Sequence, residues 1–161
     1  MELNSVLKKQ NSKTAVILVG GKSARMGSDK FLLSPNGQPQ WTFMLSELQK
    51  FFDTVYISCR EDQKQHFPNQ NLVIDQIDDI GPMGAIYSAF KQIQDSESIF
   101  FVGCDLPNFK VEIAEKLYAE MDETADVCAA QSPEKRYPEP LVAIWNKRVF
   151  PNLESRIKLG D

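Results

Sequence analysis

The chain has 161 residues, of which 42% are hydrophobic and 25% charged, with 18 Lys and Arg against 22 Asp and Glu. That length suits one ordinary domain, and that composition excludes disordered and collagen-like chains. A formal net charge of −4 argues against a protein built to hold nucleic acid, which needs surplus cations to neutralise phosphates.

Taken in chain order, the opening stretch from Met1 to Lys13 is polar and lacks the apolar core of a secretory signal. Thr14 to Val19 (TAVILV) is almost wholly apolar and reads as a strand covered on both faces. Trp41 to Phe52 repeats Trp41, Met44, Leu45, Leu48, Phe51 and Phe52 at three- and four-residue spacings, an amphipathic helix. Thr54 to Ser58 and Asn71 to Asp75 are the next strands. Met83 to Ile93 reads as a helix, with Ile86, Phe90 and Ile93 on one face. Ser98 to Cys104 (SIFFVGC) is the most hydrophobic run and should be a central strand. Val111 to Met121 is a further helix, Ala125 to Ala130 and Leu141 to Trp145 are strands, and Val149 to Leu159 is a last helix that Pro151 starts or kinks. Phe100, Phe101 and Trp145 read as core.

This alternation implies βαβ units. The expected architecture is an α/β three-layer sandwich, a Rossmann-like, mostly parallel sheet with helices on both faces. Ligands of such sheets bind beyond the carboxyl ends of the strands, where strand order reverses. No apolar run approaches the roughly 18 residues of a membrane span. Cys59, Cys104 and Cys128 form no CxxC pair, which disfavours a disulfide framework or thiolate zinc site and fits a reducing cytoplasm. A single His, His66, excludes multi-His metal sites.

Three segments after predicted strands carry chemistry. Gly20-Gly21-Lys22-Ser23-Ala24-Arg25-Met26-Gly27-Ser28-Asp29-Lys30 follows the first strand. Its glycines let backbone N–H groups approach phosphate oxygens, and Arg25 and Lys30 add positive charge. It matches neither G-x-x-x-x-G-K-[ST] nor G-x-G-x-x-G, and the plainer reading is a basic loop with turn glycines. Gly103-Cys104-Asp105-Leu106-Pro107 ends the most buried strand. Asp105 is placed either to hold Mg²⁺ against phosphates or to cap the next turn or helix. Asp75 ends another strand, and two acids at one sheet edge suggest a shared site. Gly81-Pro82-Met83-Gly84 precedes a helix and is either a close-approach turn or simply a helix start with Pro.

The run LVGGKSARMGSDK resembles the signature LAGGxSxRMGxDK of the MobA-type molybdenum cofactor guanylyltransferases. GPMG is similar to that family's GPLxG, CDLP to its CDxP, and PEPL (Pro138 to Leu141) to the Pro-rich entry of its later strand. The motifs occur in family order from residue 14 to about 160, with Val19 in place of the usual Ala as a small departure.

The resemblance implies that Leu18, Val19, Gly20 and Gly21 wrap the guanine nucleotide and its phosphates, and that Arg25 and Lys30 bind phosphate. It implies further that Asp75 helps hold the nucleoside, that Gly81 and Gly84 line that side of the pocket, and that Asp105 binds Mg²⁺. Around Ser58 the local pattern (ISCRED) differs too much for a role to carry over. The implied reaction transfers GMP from GTP to molybdopterin or the molybdenum cofactor and releases pyrophosphate. The acceptor's terminal phosphate is already a nucleophile, so no His is required. Arg25, Lys30 and Mg²⁺ on Asp105 would stabilise the developing charge. A molybdoenzyme or cofactor-insertion protein would be the further partner, with no nucleic acid or membrane involved.

Two alternatives stand beside this reading. One is a cytidylyl- or sugar-phosphate nucleotidyltransferase of the same fold, disfavoured by the Gly20-Gly21 pair. The other is a non-catalytic nucleotide-binding module, disfavoured by Arg25, Lys30 and Asp105 together. Lys147-Arg148 and Arg156-Lys158 are basic pairs that could face an anionic acceptor. Residues 1–161 are expected to form a single nucleotidyltransferase domain. Relatives continue a few dozen residues beyond the point matching Gly160-Asp161, so the chain is expected to lack the family's C-terminal strand and helix.

Overall fold

The computed structural model describes residues 12–19, 37–77, 80–134 and 136–160. Six strands form one sheet: β1 Thr14–Leu18, β2 Thr54–Cys59, β3 Asn71–Ile74, β4 Ser98–Gly103, β5 Val127–Ala130 and β6 Glu139–Asn146. Their spatial order is β3-β2-β1-β4-β6-β5. β1 pairs in parallel with β2 and β4, and β2 with β3. β6 runs antiparallel to both β4 and β5. The chain order climbs from β1 to β3 on one side and resumes with β4 on the other, so strand order reverses at the β1–β4 pair.

Among the described residues four α-helices cover the sheet: α1 Gln40–Leu48, α2 Pro82–Gln92, α3 Glu112–Glu120 and α4 Phe150–Leu159. Side chains of a strand alternate between faces, and β1 shows what this does in a doubly covered sheet. Ala15 and Ile17 join the cluster of Met44 and Leu48 from α1 and Ala114 from α3. Val16 and Leu18 join the cluster of Ile86 and Phe90 from α2 and Leu153 from α4. The central strand β4 divides likewise, Phe100 and Val102 to the first face, Ile99 and Phe101 to the second. All four of those side chains are fully buried, each contributing roughly 1.5–3 kcal/mol by leaving water. The result is the three-layer, mostly parallel sandwich expected from the alternation.

Three local differences have physical causes. α1 ends at Leu48 rather than Phe52, because the chain tightens there into short-range turns, Lys50 N–H to Glu47 O and Phe51 N–H to Leu48 O. Phe52 nevertheless stays in the core, stacked on Phe100 with ring centroids 5.3 Å apart, so the apolar periodicity outlasts the helix. The polar stretch Glu61–His66 is a 3₁₀ helix that its sequence did not announce, since only Gln63 in it is buried. Trp145 is core only in part: it packs half-buried and donates its indole N–H to Pro140 O at 3.2 Å.

Candidate functional site

The ladder does not stop at the strand ends. Val19 N–H donates to Ser58 O at 3.1 Å, Cys104 N–H to Leu18 O at 3.1 Å, and Asp75 N–H to Cys59 O at 2.9 Å. Each bond prolongs a strand pair by one residue and fixes where the chain leaves the sheet. Leu18 and Val19, Ser58, Asp75 and Asp105 therefore lie along one carboxyl edge, astride the reversal in strand order. Ligands of open α/β sheets bind at such an edge.

Leu18 and Val19 are buried, so their side chains serve the core. Gly20, Gly21, Arg25 and Lys30, expected in the segment that follows, lie outside the described residues.

At the β3 end, Ser58 is fully buried and donates its hydroxyl to Asp75 Oδ1 at 2.6 Å. The next residue is held from α2, where buried Ser88 accepts the Gln76 N–H at 2.8 Å and donates to Gly84 O at 2.7 Å. Gly84 cannot carry a side chain without movement: a Cβ there would stand 2.8 Å from the Ile77 carbonyl oxygen. Gly81 has φ 64° and ψ −151°, a backbone region effectively reserved for glycine, and Pro82 follows at the start of α2. Gly81 and Gly84 thus do what their spacing suggested, turning the chain and packing the helix start against the strap after β3.

At the β4 end, Asp105 is exposed in a turn, and its carboxylate receives no hydrogen bond from the described residues. Its Oδ1 lies 3.0 Å from where a Cβ on Gly103 would stand. The helix-capping alternative does not hold, because α3 begins only at Glu112. Nor do Asp75 and Asp105 share a coordination sphere. β2 and β1 intervene, three strand spacings or roughly 14 Å. Among the described residues no group of three or more His, Cys, Asp or Glu could hold a metal. A hard cation such as Mg²⁺ asks for less, one or two carboxylates with substrate phosphates and waters completing the shell, and an exposed Asp105 with no donor among the described residues fits that requirement.

The neighbouring thiols are inert. Burial, then the Asp105 charge, pushes Cys104 up to about 12, and burial, then Asp75, does the same to Cys59. Neither supplies a thiolate nucleophile near neutral pH. Beyond Asp105, over β5 and β6, lies a cavity of about 490 Å³ with a mainly apolar lining that includes Leu106, Phe109, Ile113, Ala130 and Val142.

One expected basic surface is misplaced. Asn146 pairs with Ser98, so Lys147 and Arg148 lie at the amino edge. There Lys147 Nζ donates to Gln94 O, and Arg148 is bound to Asp126 and to the carbonyls of Glu123 and Ala125. They fasten the end of β6 to the turns that precede β4 and β5, and do not face the site. The sequence reading left Ser58 without a role and missed Ser88, Gln40 and Glu47 as polar groups behind the edge. Their only sequence signal is a polar residue interrupting an apolar face.

A family model described as MobA-like NTP transferase domain matches residues 15–161. A protein of Vibrio atlanticus named molybdenum cofactor guanylyltransferase is 30% identical over 148 residues, covering 91% of this chain and 75% of that protein. A protein of Photobacterium profundum with the same name is also 30% identical over 148 residues, with the same coverage. Among solved structures, a protein of Aquifex aeolicus superposes with a TM-score of 0.76 at 28% identity, covering 94% of this chain and 79% of that one. Molybdopterin-guanine dinucleotide biosynthesis protein A of Archaeoglobus fulgidus, at 24% identity and a TM-score of 0.74 over 91% of this chain and 74% of its own, shares the fold.

Proposed function

The chain belongs to the MobA-like NTP transferase family, and from that premise we propose that it transfers GMP from GTP to molybdopterin or the molybdenum cofactor, releasing pyrophosphate. The observation that carries this reading is the placement of Asp75 and Asp105 on one carboxyl edge, either side of the β1 end from which the Gly20–Lys30 segment departs. A nucleotide laid along that edge has its nucleoside near Asp75 and its phosphates near Asp105. The cavity beyond Asp105 leaves room for the acceptor on the β4-β6-β5 half.

An oxygen of the acceptor's terminal phosphate forms a bond to the α-phosphorus of GTP. The bond from that phosphorus to the bridging oxygen breaks, and the electron pair leaves with pyrophosphate. The protein's task is alignment and charge neutralisation rather than covalent chemistry. Arg25 and Lys30 bind phosphate oxygens, with Gly20 and Gly21 as the family's glycine pair for the same phosphates. Asp105 holds Mg²⁺, which when bound supplies positive charge opposite the phosphates. Asp75 orients the nucleoside, with its carboxylate steadied by Ser58. The proposed site of action is the cytoplasm, a reading supported by Cys59, Cys104 and Cys128 being free thiols. Among the described residues no helix is long and apolar enough to cross a membrane. The product passes to a molybdoenzyme or a cofactor-insertion protein.

The test is pyrophosphate release with molybdopterin, Mg²⁺ and each of GTP, CTP, ATP and UTP. GTP is expected to be the donor, and equal turnover with CTP would overturn the guanine assignment. In the same assay Asp105→Asn is expected to keep its melting temperature and lose about a hundredfold or more in rate. Near-normal turnover of that variant would remove Asp105 from the mechanism.

A further inference from the structure

Helix α1 presents two polar side chains to the interior, Gln40 at 4% exposure and Glu47 at 8%. They stand seven residues apart, two helical turns, and so share a face. Burying a carboxamide or a carboxylate is unfavourable unless it is bonded, and a Leu at either place would serve the core better. Both are bonded, and to the same loop. Gln40 Nε2 donates to Leu106 O at 3.1 Å, and Glu47 Oε2 accepts the Val111 N–H at 3.3 Å. The loop between them is the one that follows Asp105 and leads into α3.

The residues on either side of Asp105 are therefore each tied to a different element. Upstream, Cys104 N–H bonds Leu18 O on β1. Downstream, Leu106 O receives Gln40 from α1, together with the Phe109 N–H at 3.1 Å. We propose that Gln40 is a positioning residue for the metal-binding carboxylate: its buried amide holds the Leu106–Pro107 peptide, one residue beyond Asp105, with Glu47 anchoring the far end of the same loop. This rests on the reading of Asp105 as the Mg²⁺ ligand. It makes α1 the support of the loop that carries Asp105. Groups that orient a metal ligand characteristically set its affinity.

The experiment is Gln40→Met in the full chain, similar in volume and without a donor. Mn²⁺ binding to the GTP complex is read by electron paramagnetic resonance, and GTP affinity in EDTA by calorimetry. The expected result is Mn²⁺ affinity weakened about tenfold, with GTP affinity in EDTA unchanged to within about twofold. Gln40→Leu, which is apolar and cannot donate at any pH, should move Mn²⁺ affinity in the same direction. A folded variant of either kind with wild-type Mn²⁺ affinity overturns the proposal, even if its melting temperature falls. So does the failure of both variants to fold, which would make Gln40 a residue of stability alone. Asp105→Asn is run beside them. If it binds Mn²⁺ as the wild type does, the metal reading of Asp105 is what has failed; if only the Gln40 variants are silent, that reading stands.

Discussion

The Ser58 hydroxyl, fully buried, stands 2.6 Å from Asp75 Oδ1, and its one evident task is to hold that carboxylate. A hydrogen bond to a charged group contributes about 1.5–3 kcal/mol net, enough to decide how a single carboxylate meets a ligand. Ser58→Ala removes the bond and leaves a hole of one oxygen atom. GTP affinity by calorimetry is expected to fall about tenfold, with little change in Mg²⁺ dependence because Asp105 lies three strands away. Unchanged GTP affinity would reduce the pair to a structural contact. Asp75 was legible in the sequence because a carboxylate after a short apolar strand is conspicuous. Ser58 was not, because the pairing depends on the register that sets Cys59 opposite Ile74. Seventeen positions of chain carry no sign of that register.

At the scale of elements, α1 joins the core to the site through Glu47. The hydrogen bond from Lys50 holds the Glu47 carboxyl below its ordinary value of 4.5, against burial that pushes it up, and the Val111 N–H reinforces the lowering. A folded-state value below the unfolded one means that ionised Glu47 favours the fold. That contribution is complete above the unfolded value and is lost as pH falls through the lower, folded one. Thermal melting from about pH 6 down to about pH 3 is therefore expected to drop more steeply for the wild type than for Glu47→Gln, which has no charge to lose. Parallel curves would show that Glu47 contributes nothing through its charge. The helices and strands themselves were readable from period, since each buries a face or a whole run. Where α1 stops was not, because Phe51 and Phe52 continue the apolar spacing through turns that are no longer helical. Nor was the direction of β6. An apolar strand reads the same both ways, and only its pairing with β4 and β5 decides that it runs antiparallel.

The whole molecule is polar in the architectural sense: its two sheet edges do different work. The carboxyl edge gathers Asp75, Asp105 and the end of β1. The amino edge is closed by local bonds, Lys147 N–H to Glu97 O, Lys147 Nζ to Gln94 O and Thr14 Oγ1 with Ser96 Oγ at 2.7 Å. A second hollow of about 350 Å³ lies at that edge, lined by Thr14, Thr54, Tyr56, Gln92, Asp95 and Ser96, with polar surface but none of the loops that follow parallel strands. Ligand location thus follows from topology rather than from the presence of a hollow, and hydrogen exchange can separate the two. With GTP and Mg²⁺ added, amide exchange is expected to slow in segments covering Leu18 to Lys30, Ser58 to Arg60, Asp75 to Gly84 and Gly103 to Pro107. Segments covering Gln94 to Glu97 and Asn146 to Val149 should exchange as before, because local opening there is uncoupled from the ligand. Protection confined to the amino edge would put the nucleotide at the wrong end of the sheet and overturn the assignment of the site.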